Sequence, residues 1–449
     1  MRNRLSHPAR TLSVGFGIAI AVGSLLLLLP GMLRPEVPDH SLLDAVFQAT
    51  SAVCVTGLCV RQLSEYTFAG QALLLLLIQV GGIGMLTLSK LTLLSAGSHL
   101  RLGDRNLIDA SLGSVARVSP RDVLRQTVLF TLACELAGAL AIAPVFIIDH
   151  GWAGGVWAAV FHSISAFCNA GFGLWDDSLA AYRAHPWVNG VIMILIIAGG
   201  IGFVVIAELW QRWHLHHRRR LSLHTRTVLI VSGLLIVGGG LIFTIIEVFN
   251  PSDDGYGGDG LACAFLAISA RTAGFSTAPI DALSHPSLLL LMTLMLIGGS
   301  PGSAAGGIKT TTLATLYALV MARARDRQEP ELLGRAIGAT AVGKALATTA
   351  CMLGAIAIAT LALELTETGL VPHRREIGRL LDHAFEVVSA LCTVGLSTGI
   401  TPELSPGGRV VIIICMFIGR IGPLLIAGSL LGRRRPASYH LPREDLVIG

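Results

Sequence analysis

Four glycines along this sequence share one local pattern, and that pattern can bind ions. A Ser-Ala pair precedes each glycine, with the serine six residues upstream, or five in the third case, and Leu or Phe follows. Because glycine permits positive φ, such a turn can present carbonyl oxygens, and a ring of carbonyls can replace the hydration shell of a monovalent cation. One such turn indicates only an extracellular loop, but four at matching positions predict an ion-binding ring. The glycines are Gly57, Gly171, Gly274 and Gly395.

The four patterns belong to a repeat that runs through the chain. Successive glycines are 114, 103 and 121 residues apart. Before each turn lies an apolar stretch of about 10–14 residues, which is too short to cross a bilayer and is typical of a re-entrant half-helix. Non-helical backbone at membrane depth is tolerated only where it lines water or is buried in protein. Four such turns around one axis would therefore line a pore.

A second glycine-rich stretch, LMTLMLIGGSPGSAAGGIKTTTLATL, interrupts the apolar sequence between 291 and 316. Consecutive small or helix-breaking residues, including Pro301, are unfavourable inside a helix. A helix broken at membrane depth must face protein or water, so we expect a loop beneath the four turns that can move. The residues of this predicted gate, the 298–309 loop, are Gly298, Gly299, Ser300, Gly302, Ser303, Gly306, Gly307 and Lys309.

Part of this stretch, GSAAGGIKT, looks like a phosphate-binding P-loop. That motif needs a glycine directly before the lysine and a strand before the loop. Here Ile308 separates Gly307 from Lys309, and the sequence upstream does not predict a strand. We therefore expect this chain to bind no nucleotide.

Two charged residues fall inside the predicted spans. A bare charge at the bilayer centre costs at least ~2.5–3.5 kcal/mol, so each must face water or a partner. Arg420, in MFIGRIGPLLI, is predicted to form an electrostatic barrier or latch in the pore, and a structural arginine with a partner is the alternative. Glu135 is ten residues from the nearest basic residue, Arg125, and is expected to pair with Lys or Arg of another helix.

Glycines also recur in the second helix of three repeats, in QVGGIGMLTL (79–88), AGGIGFVVIAEL (198–209) and GRIGPLLI (419–426). Small residues let helices approach closely in lipid. Packing is the predicted role of these glycines, and bending at the gate is the alternative.

Membrane helices must position all of these residues. Hydrophobic residues make up 53% of the 449 positions and charged residues 14%. A soluble protein carries about 25% charged residues. The composition excludes a disordered or nucleic-acid-binding chain, disfavours a cytosolic enzyme and predicts an all-α polytopic membrane protein. The eight candidate spans are 11–33, 66–89, 123–148, 184–207, 227–246, 282–308, 345–363 and 410–432.

Charge predicts the orientation of these spans. With the N-terminus in the cytoplasm, the inside segments carry 20 Lys and Arg with 9 acids, and the outside segments carry 7 with 18 acids. Basic residues accumulate on the cytoplasmic side, so both termini are predicted to be cytoplasmic. The predicted units are repeat 1 at 1–95, repeat 2 at 96–222, repeat 3 at 223–328, repeat 4 at 329–432 and a cytoplasmic tail at 433–449.

The turns VTGL, CNAGF, RTAGF and CTVGL resemble the four degenerate filters of the Trk/Ktr/HKT superfamily of potassium transporters, closest to the bacterial KtrB-type membrane subunit. The resemblance implies four fused helix–pore-loop–helix repeats around one pore, with eight spans and four re-entrant half-helices. It implies that the 298–309 loop blocks the pore from below, and the family has an arginine at the position of Arg420. The implied potassium ligands are the backbone carbonyls of Val55, Thr56, Gly57, Asn169, Ala170, Gly171, Thr272, Ala273, Gly274, Thr393, Val394 and Gly395.

The resemblance also implies partners. The family pairs such subunits with a cytosolic RCK-type ring (KtrA) that binds ATP or ADP, and the basic loops 211–226 and 323–327 and the tail would dock it. Ktr subunits form homodimers in the cell membrane, and sodium is a common activator. No nucleic acid is expected as a partner.

The predicted function is potassium uptake through the pore-forming subunit of a Ktr/Trk-type system. We expect no enzyme activity, because the acids in the membrane are isolated and the histidines lie mostly in loops. A cation-coupled secondary transporter with broken helices is one alternative, and it would need ionisable coupling residues. A non-conducting membrane scaffold is another, and it leaves the four turns unexplained.

Overall fold

A computed structural model describes residues 8–38, 41–97, 120–214, 221–249, 256–369 and 378–431. These ranges are mostly helical, as predicted, and contain thirteen α-helices and one short β-hairpin, β1 (Glu331–Leu332) with β2 (Arg335–Ala336). The predicted tail at 433–449 lies outside them. The helices are α1 (Pro8–Leu27), α2 (Leu42–Cys54), α3 (Phe68–Gly97), α4 (Pro120–Cys168), α5 (Pro186–Ile201), α6 (Phe203–His214), α7 (Leu223–Val248), α8 (Gly260–Ser269), α9 (His285–Leu296), α10 (Thr310–Ala324), α11 (Ala339–Glu367), α12 (Arg379–Cys392) and α13 (Pro406–Leu431).

Among the described residues, four helical segments are long and apolar enough to cross a membrane. They are Phe68–Thr87, Arg125–Cys168, Leu223–Val248 and Ala339–Glu367. The bent pair α5 and α6 would make a fifth. The predicted span 282–308 comprises α9, which has twelve residues, and the non-helical loop that follows it.

The predicted span over 184–207 is bent. The helix breaks at Gly202, and α6 turns away from the direction of α5 by 105°. Gly202 has a φ of 91°, which other residues rarely adopt, and it lies against the carbonyl of Pro301 in the 298–309 loop. Bending was the alternative role for the glycines at 198–209. The charge-free composition of this segment matched a span, but the tertiary contact decides its shape.

Four short helices lead to the four turns: α2, the end of α4 after a break at Gly151, α8, and α12. Side chains cap two of them at the N-terminus. Ser41 Oγ accepts a hydrogen bond from Asp44 N at 3.1 Å, and an Asp259 oxygen accepts one from Leu261 N at 3.0 Å. Such caps satisfy backbone donors that a helix end leaves free. Each short helix therefore has a defined start and ends at a turn.

The short helices are packed in the same way. One phenylalanine lies four residues before the aligned serine in each of them, and all four rings are fully buried. The alanine after each serine is also fully buried, which lets the ends of the helices approach one another. This matching burial holds the four turns at one place in the fold. The phenylalanines are Phe47, Phe161, Phe265 and Phe385.

Candidate ion-binding site

The four turns have an alternating backbone. In each turn the glycine and the residue two positions before it have positive φ, and the residue between them does not. In the first turn φ is 56° at Val55 and 98° at Gly57, and in the fourth it is 50° at Thr393 and 96° at Gly395. Neither a helix nor a strand contains this alternation of φ. The carbonyls of the turn therefore do not point to alternate sides as they do in a strand. The second and third turns repeat it at Asn169 with Gly171 and at Thr272 with Gly274.

Helix-capping hydrogen bonds hold three of these turns from below. Thr56 N donates to Ser51 O at 2.8 Å and Val55 N donates to Ala52 O at 3.1 Å, which is the bonding of a Schellman motif. The second and fourth turns repeat both bonds. Glycine is the usual residue in this left-handed position, yet here it is Val55, Asn169 or Thr393. A β-branched residue in this conformation is strained by ~1–3 kcal/mol, and such strain concentrates at functional sites.

The aligned serines fix the far side of each turn. Ser51 Oγ accepts from Gly57 N at 3.1 Å, and Ser389 Oγ accepts from Gly395 N at the same distance. In the other two turns the serine hydroxyl donates to the carbonyl of the phenylalanine after the glycine. For Ser165 that bond to Phe172 O is 2.8 Å. The direction of the serine hydrogen bond correlates with the residue after the glycine. That residue is Leu in the first and fourth repeats and Phe in the second and third.

The four glycines close a ring. Each one packs against the carbonyl oxygen that precedes the next glycine along the chain, and the fourth packs against the first turn. The same contact therefore occurs four times in one rotational direction. The pairs, glycine first, are Gly57 with Ala170, Gly171 with Ala273, Gly274 with Val394, and Gly395 with Thr56.

All twelve predicted carbonyl residues lie in this ring of turns. Among them, every non-glycine side chain is at most 1% exposed. The groups that the turns can offer an ion are backbone carbonyls and the hydroxyls of Thr56, Thr272 and Thr393. Such hard oxygen donors suit an alkali cation.

The 298–309 loop lies against the fourth turn. A Cβ atom on Gly306 would overlap Thr393 Oγ1 and the carbonyl oxygen of Cys392. The two ends of the loop meet where Ile308 N donates to Leu296 O at 2.9 Å. The loop therefore leaves and returns to the same place in the fold, and its Gly306 packs directly against the ring.

Backbone hydrogen bonds dock this loop on the break between α5 and α6. Ser300 N donates to Gly200 O at 3.0 Å, and Ala304 N donates to Gly199 O at 3.1 Å. Phe203 N, at the start of α6, donates in turn to Gly302 O at 3.2 Å. The free carbonyls at the end of α5 thus bind the loop, which a continuous helix would not allow.

Three basic side chains donate to carbonyls of the loop. Arg420 Nη1 bonds Ala304 O at 2.6 Å, and Arg420 is 2% exposed. Arg271 Nη2 bonds Gly298 O at 3.2 Å, and Lys309 Nζ bonds the carbonyls of Ala305 and Gly306. Hydrogen bonds from charged donors are stronger than neutral ones. The sequence did not indicate that Arg271, which lies three residues before Gly274, belongs to this set.

Glu135 pairs differently from the expectation. Its carboxylate accepts from Gln79 Nε2 at 2.8 Å and from Cys168 Sγ at 3.6 Å, and neither partner is basic. Cys168 directly precedes the second turn. An amide satisfies a buried carboxylate without a second charge, so the expected ion pair is replaced by a hydrogen-bond network.

Sequence reasoning missed three polar residues behind the turns. Gln48, His162 and Glu386 are each at most 1% exposed. They occupy the same position in three repeats, three residues before the aligned serine. Extending the repeat alignment upstream would have found the position, although the three residue types differ.

Comparisons with known proteins identify relatives along nearly the whole chain. A family model described as "TrkH: Cation transport protein" matches residues 18–430. The potassium/sodium uptake protein NtpJ of Enterococcus hirae is 38% identical over 100% of this chain and 98% of its own length. The Ktr system potassium uptake protein B of Bacillus subtilis is 36% identical over 98% of this chain and 97% of its own. The crystal structure of the potassium transporter TrkH from Vibrio parahaemolyticus has the same fold, with a TM-score of 0.71 at 19% identity over 95% of this chain and 86% of that one.

Proposed function

Because the chain belongs to the TrkH family of cation transport proteins, we propose that it takes up potassium as the pore-forming subunit of a Ktr/Trk-type system. The closed ring of four glycine turns carries this proposal. In it, each of the four glycines packs against a backbone carbonyl of the next turn. The printed names of the relatives supply the ion, because they are potassium or potassium/sodium uptake proteins.

In this proposal the four turns are the selectivity filter. Potassium sheds water and binds backbone carbonyls of the turns, which helix caps and serine bonds hold in place before the ion arrives. The four repeats at 1–95, 96–222, 223–328 and 329–432 each supply one quarter, with eight spans and four re-entrant half-helices in all. The matching Phe and Ser-Ala positions support fourfold equivalence.

The 298–309 loop is the proposed gate, and Arg420 is its latch. The loop packs against the fourth turn, and a 2.6 Å bond from Arg420 holds Ala304 O. Docking on Gly199 and Gly200 fixes the other side. Ions pass when these bonds break and the loop moves aside. The membrane potential supplies about 2.3 kcal/mol per charge per 100 mV for inward movement.

A cytosolic RCK-type subunit that binds ATP or ADP is the proposed regulator, since relatives are named as parts of Ktr systems. The protein lies in the cell membrane with both termini in the cytoplasm. It acts as a homodimer and binds no nucleotide itself. Sodium is a candidate activator because one relative is a potassium/sodium uptake protein.

Ion uptake in a bacterial strain that lacks its own potassium transporters tests the function. The full chain, produced with an RCK-type partner, should restore potassium uptake at micromolar to millimolar potassium. Deletion of 302–306 should raise uptake, because it removes the loop and its Arg420 contact. Gly190→Ala is a matched control, since a Cβ atom there meets nothing within 4 Å. A wild-type chain that is present in the membrane but moves no potassium, rubidium or sodium with any partner would contradict the proposal.

A further inference from the structure

Three repeats carry a buried polar residue that reaches from the short helix to the segment just beyond the turn glycine. In the fourth repeat, Glu386 Oε1 accepts hydrogen bonds from Ser397 Oγ and from Thr401 Oγ1, the latter at 3.0 Å. Ser397 lies two residues after Gly395. The carboxylate therefore fixes the chain immediately after it has left the ring.

The equivalent residue of the second repeat does the same with a different group. His162 is stacked on Trp175 with ring centroids 4.4 Å apart. Its Nδ1 lies 2.8 Å from Ala158 O, so Nδ1 carries the proton and Nε2 is left to accept from Leu174 N at 3.4 Å. Leu174 is three residues after Gly171.

The first repeat has a weaker version of this contact. Gln48 Nε2 donates to Cys59 Sγ at 3.6 Å, and that thiol donates to Gly57 O at 3.4 Å. Cys59 is two residues after Gly57. Sulfur is a weak acceptor, so the hydrogen bond from Gln48 is the weakest of the three.

The third repeat has Leu266 at this position and uses a different support. Ser276, two residues after Gly274, donates its N–H to Ser178 Oγ at 3.2 Å. Its carbonyl accepts from Leu179 N at 2.9 Å. Where the polar residue is missing, the neighbouring repeat thus holds the same segment, which indicates that each quarter of the ring needs an anchor on this side.

We propose that Gln48, His162 and Glu386 are positioning residues that set the preference for potassium over sodium, with Glu386 contributing most. The inference rests on the proposed function. In the first, second and fourth repeats, helix caps fix the turn on the side of its short helix, and these residues fix it on the other side. With that side released, the carbonyls relax toward a smaller ion, because selective sites need positions held within about 0.5 Å. Glu386 is the strongest anchor since it accepts two hydroxyl bonds.

Substitutions at Glu386 test this in the full chain with its regulator, with rubidium, potassium and sodium as the probes. Glu386→Ala should lower the ratio of sodium KM to potassium KM by about tenfold, the usual effect of losing a hydrogen bond to a charged group. Glu386→Gln should stay within about twofold of wild type, because an amide oxygen still accepts from Ser397 and Thr401. Asp382→Asn, which removes an acid one turn earlier in α12, is the matched control and should leave the ratio unchanged.

A second variant tests the same inference if the Glu386→Ala chain does not fold. Ser397→Ala with Thr401→Val removes both donors and keeps the glutamate, and it should lower the ratio in the same way. An unchanged ratio in either variant at normal membrane levels would overturn the inference, as would Glu386→Gln behaving like Glu386→Ala. An equal decrease in the uptake of all ions, with the ratio preserved, would assign a purely structural role and also overturn it. Failure of the wild-type chain to move any ion would instead contradict the proposed function.

Discussion

Alanine at Gly57 should damage ion selection far more than alanine at Gly171, its neighbour in the ring. A Cβ atom on Gly57 would lie 2.5 Å from the carbonyl oxygen of Ala170. One on Gly171 would lie 2.9 Å from that of Ala273. Real Cβ contacts essentially never fall under 3.0 Å, so the first carbonyl must move by about 0.5 Å and the second by about 0.1 Å.

The backbone adds to this difference. φ is 98° at Gly57, well outside the left-handed region that other residues can enter, and 72° at Gly171, at the edge of that region. A non-glycine residue costs ~1–2 kcal/mol even inside the region. With 1.4 kcal/mol for each tenfold change, we expect Gly171→Ala to lower potassium preference over sodium by about tenfold and Gly57→Ala by about 100-fold.

Competition between rubidium and sodium uptake measures this preference at matched amounts of protein in the membrane. Gly354→Ala in α11 is the control, because a Cβ atom there meets nothing within 4 Å, and it should behave as wild type. If Gly171→Ala harmed selection as much as Gly57→Ala, the reasoning from ring contacts and φ would be refuted.

Three further changes have outcomes that the structure determines. Arg420→Gln should raise basal rubidium flux about tenfold through loss of the charged bond to Ala304, and an unchanged flux would contradict the latch. Gly202→Ala should lower the apparent melting temperature in detergent, because φ is 91° and a Cβ atom would lie 2.7 Å from Pro301 O. Gly190→Ala, within α5, should not, because a Cβ atom there meets nothing within 4 Å. Asp44→Ala should cost about 1–3 kcal/mol of stability, because the Asp44 carboxylate in α2 accepts a hydrogen bond from Arg409 in α13 at 2.6 Å. Glu331→Ala removes an exposed ion pair and should cost under about 1 kcal/mol. Equal melting temperatures of the two variants would argue against this difference.

The glycine turns could be located from the sequence because they repeat. A single Gly57 carries little information, but four copies of one pattern at similar spacing constrain each other. Their order around the ring was not predictable in the same way, because it depends on which carbonyl each glycine contacts. The mostly helical fold followed from the composition together with the length of the apolar runs.

The break at Gly202 could not be predicted from the sequence, because it depends on contacts between residues that are far apart in the chain. Counting uncharged residues predicts a span over 184–207 and is blind to backbone hydrogen bonds from another repeat. Ser300 and Ala304 supply those bonds, and they stand about a hundred residues further along the chain. The pattern behind the turns escaped because Gln48, His162 and Glu386 differ in type and share only position and burial.

Closure of the glycine ring within one polypeptide has a genetic consequence. Where four separate subunits form a ring, one altered gene copy spoils most assemblies, because few contain only normal subunits. Here every quarter of a ring comes from the same translated chain. Cells with one normal and one altered allele therefore contain intact rings in proportion to the normal allele, and mutations in the ring should behave as recessive.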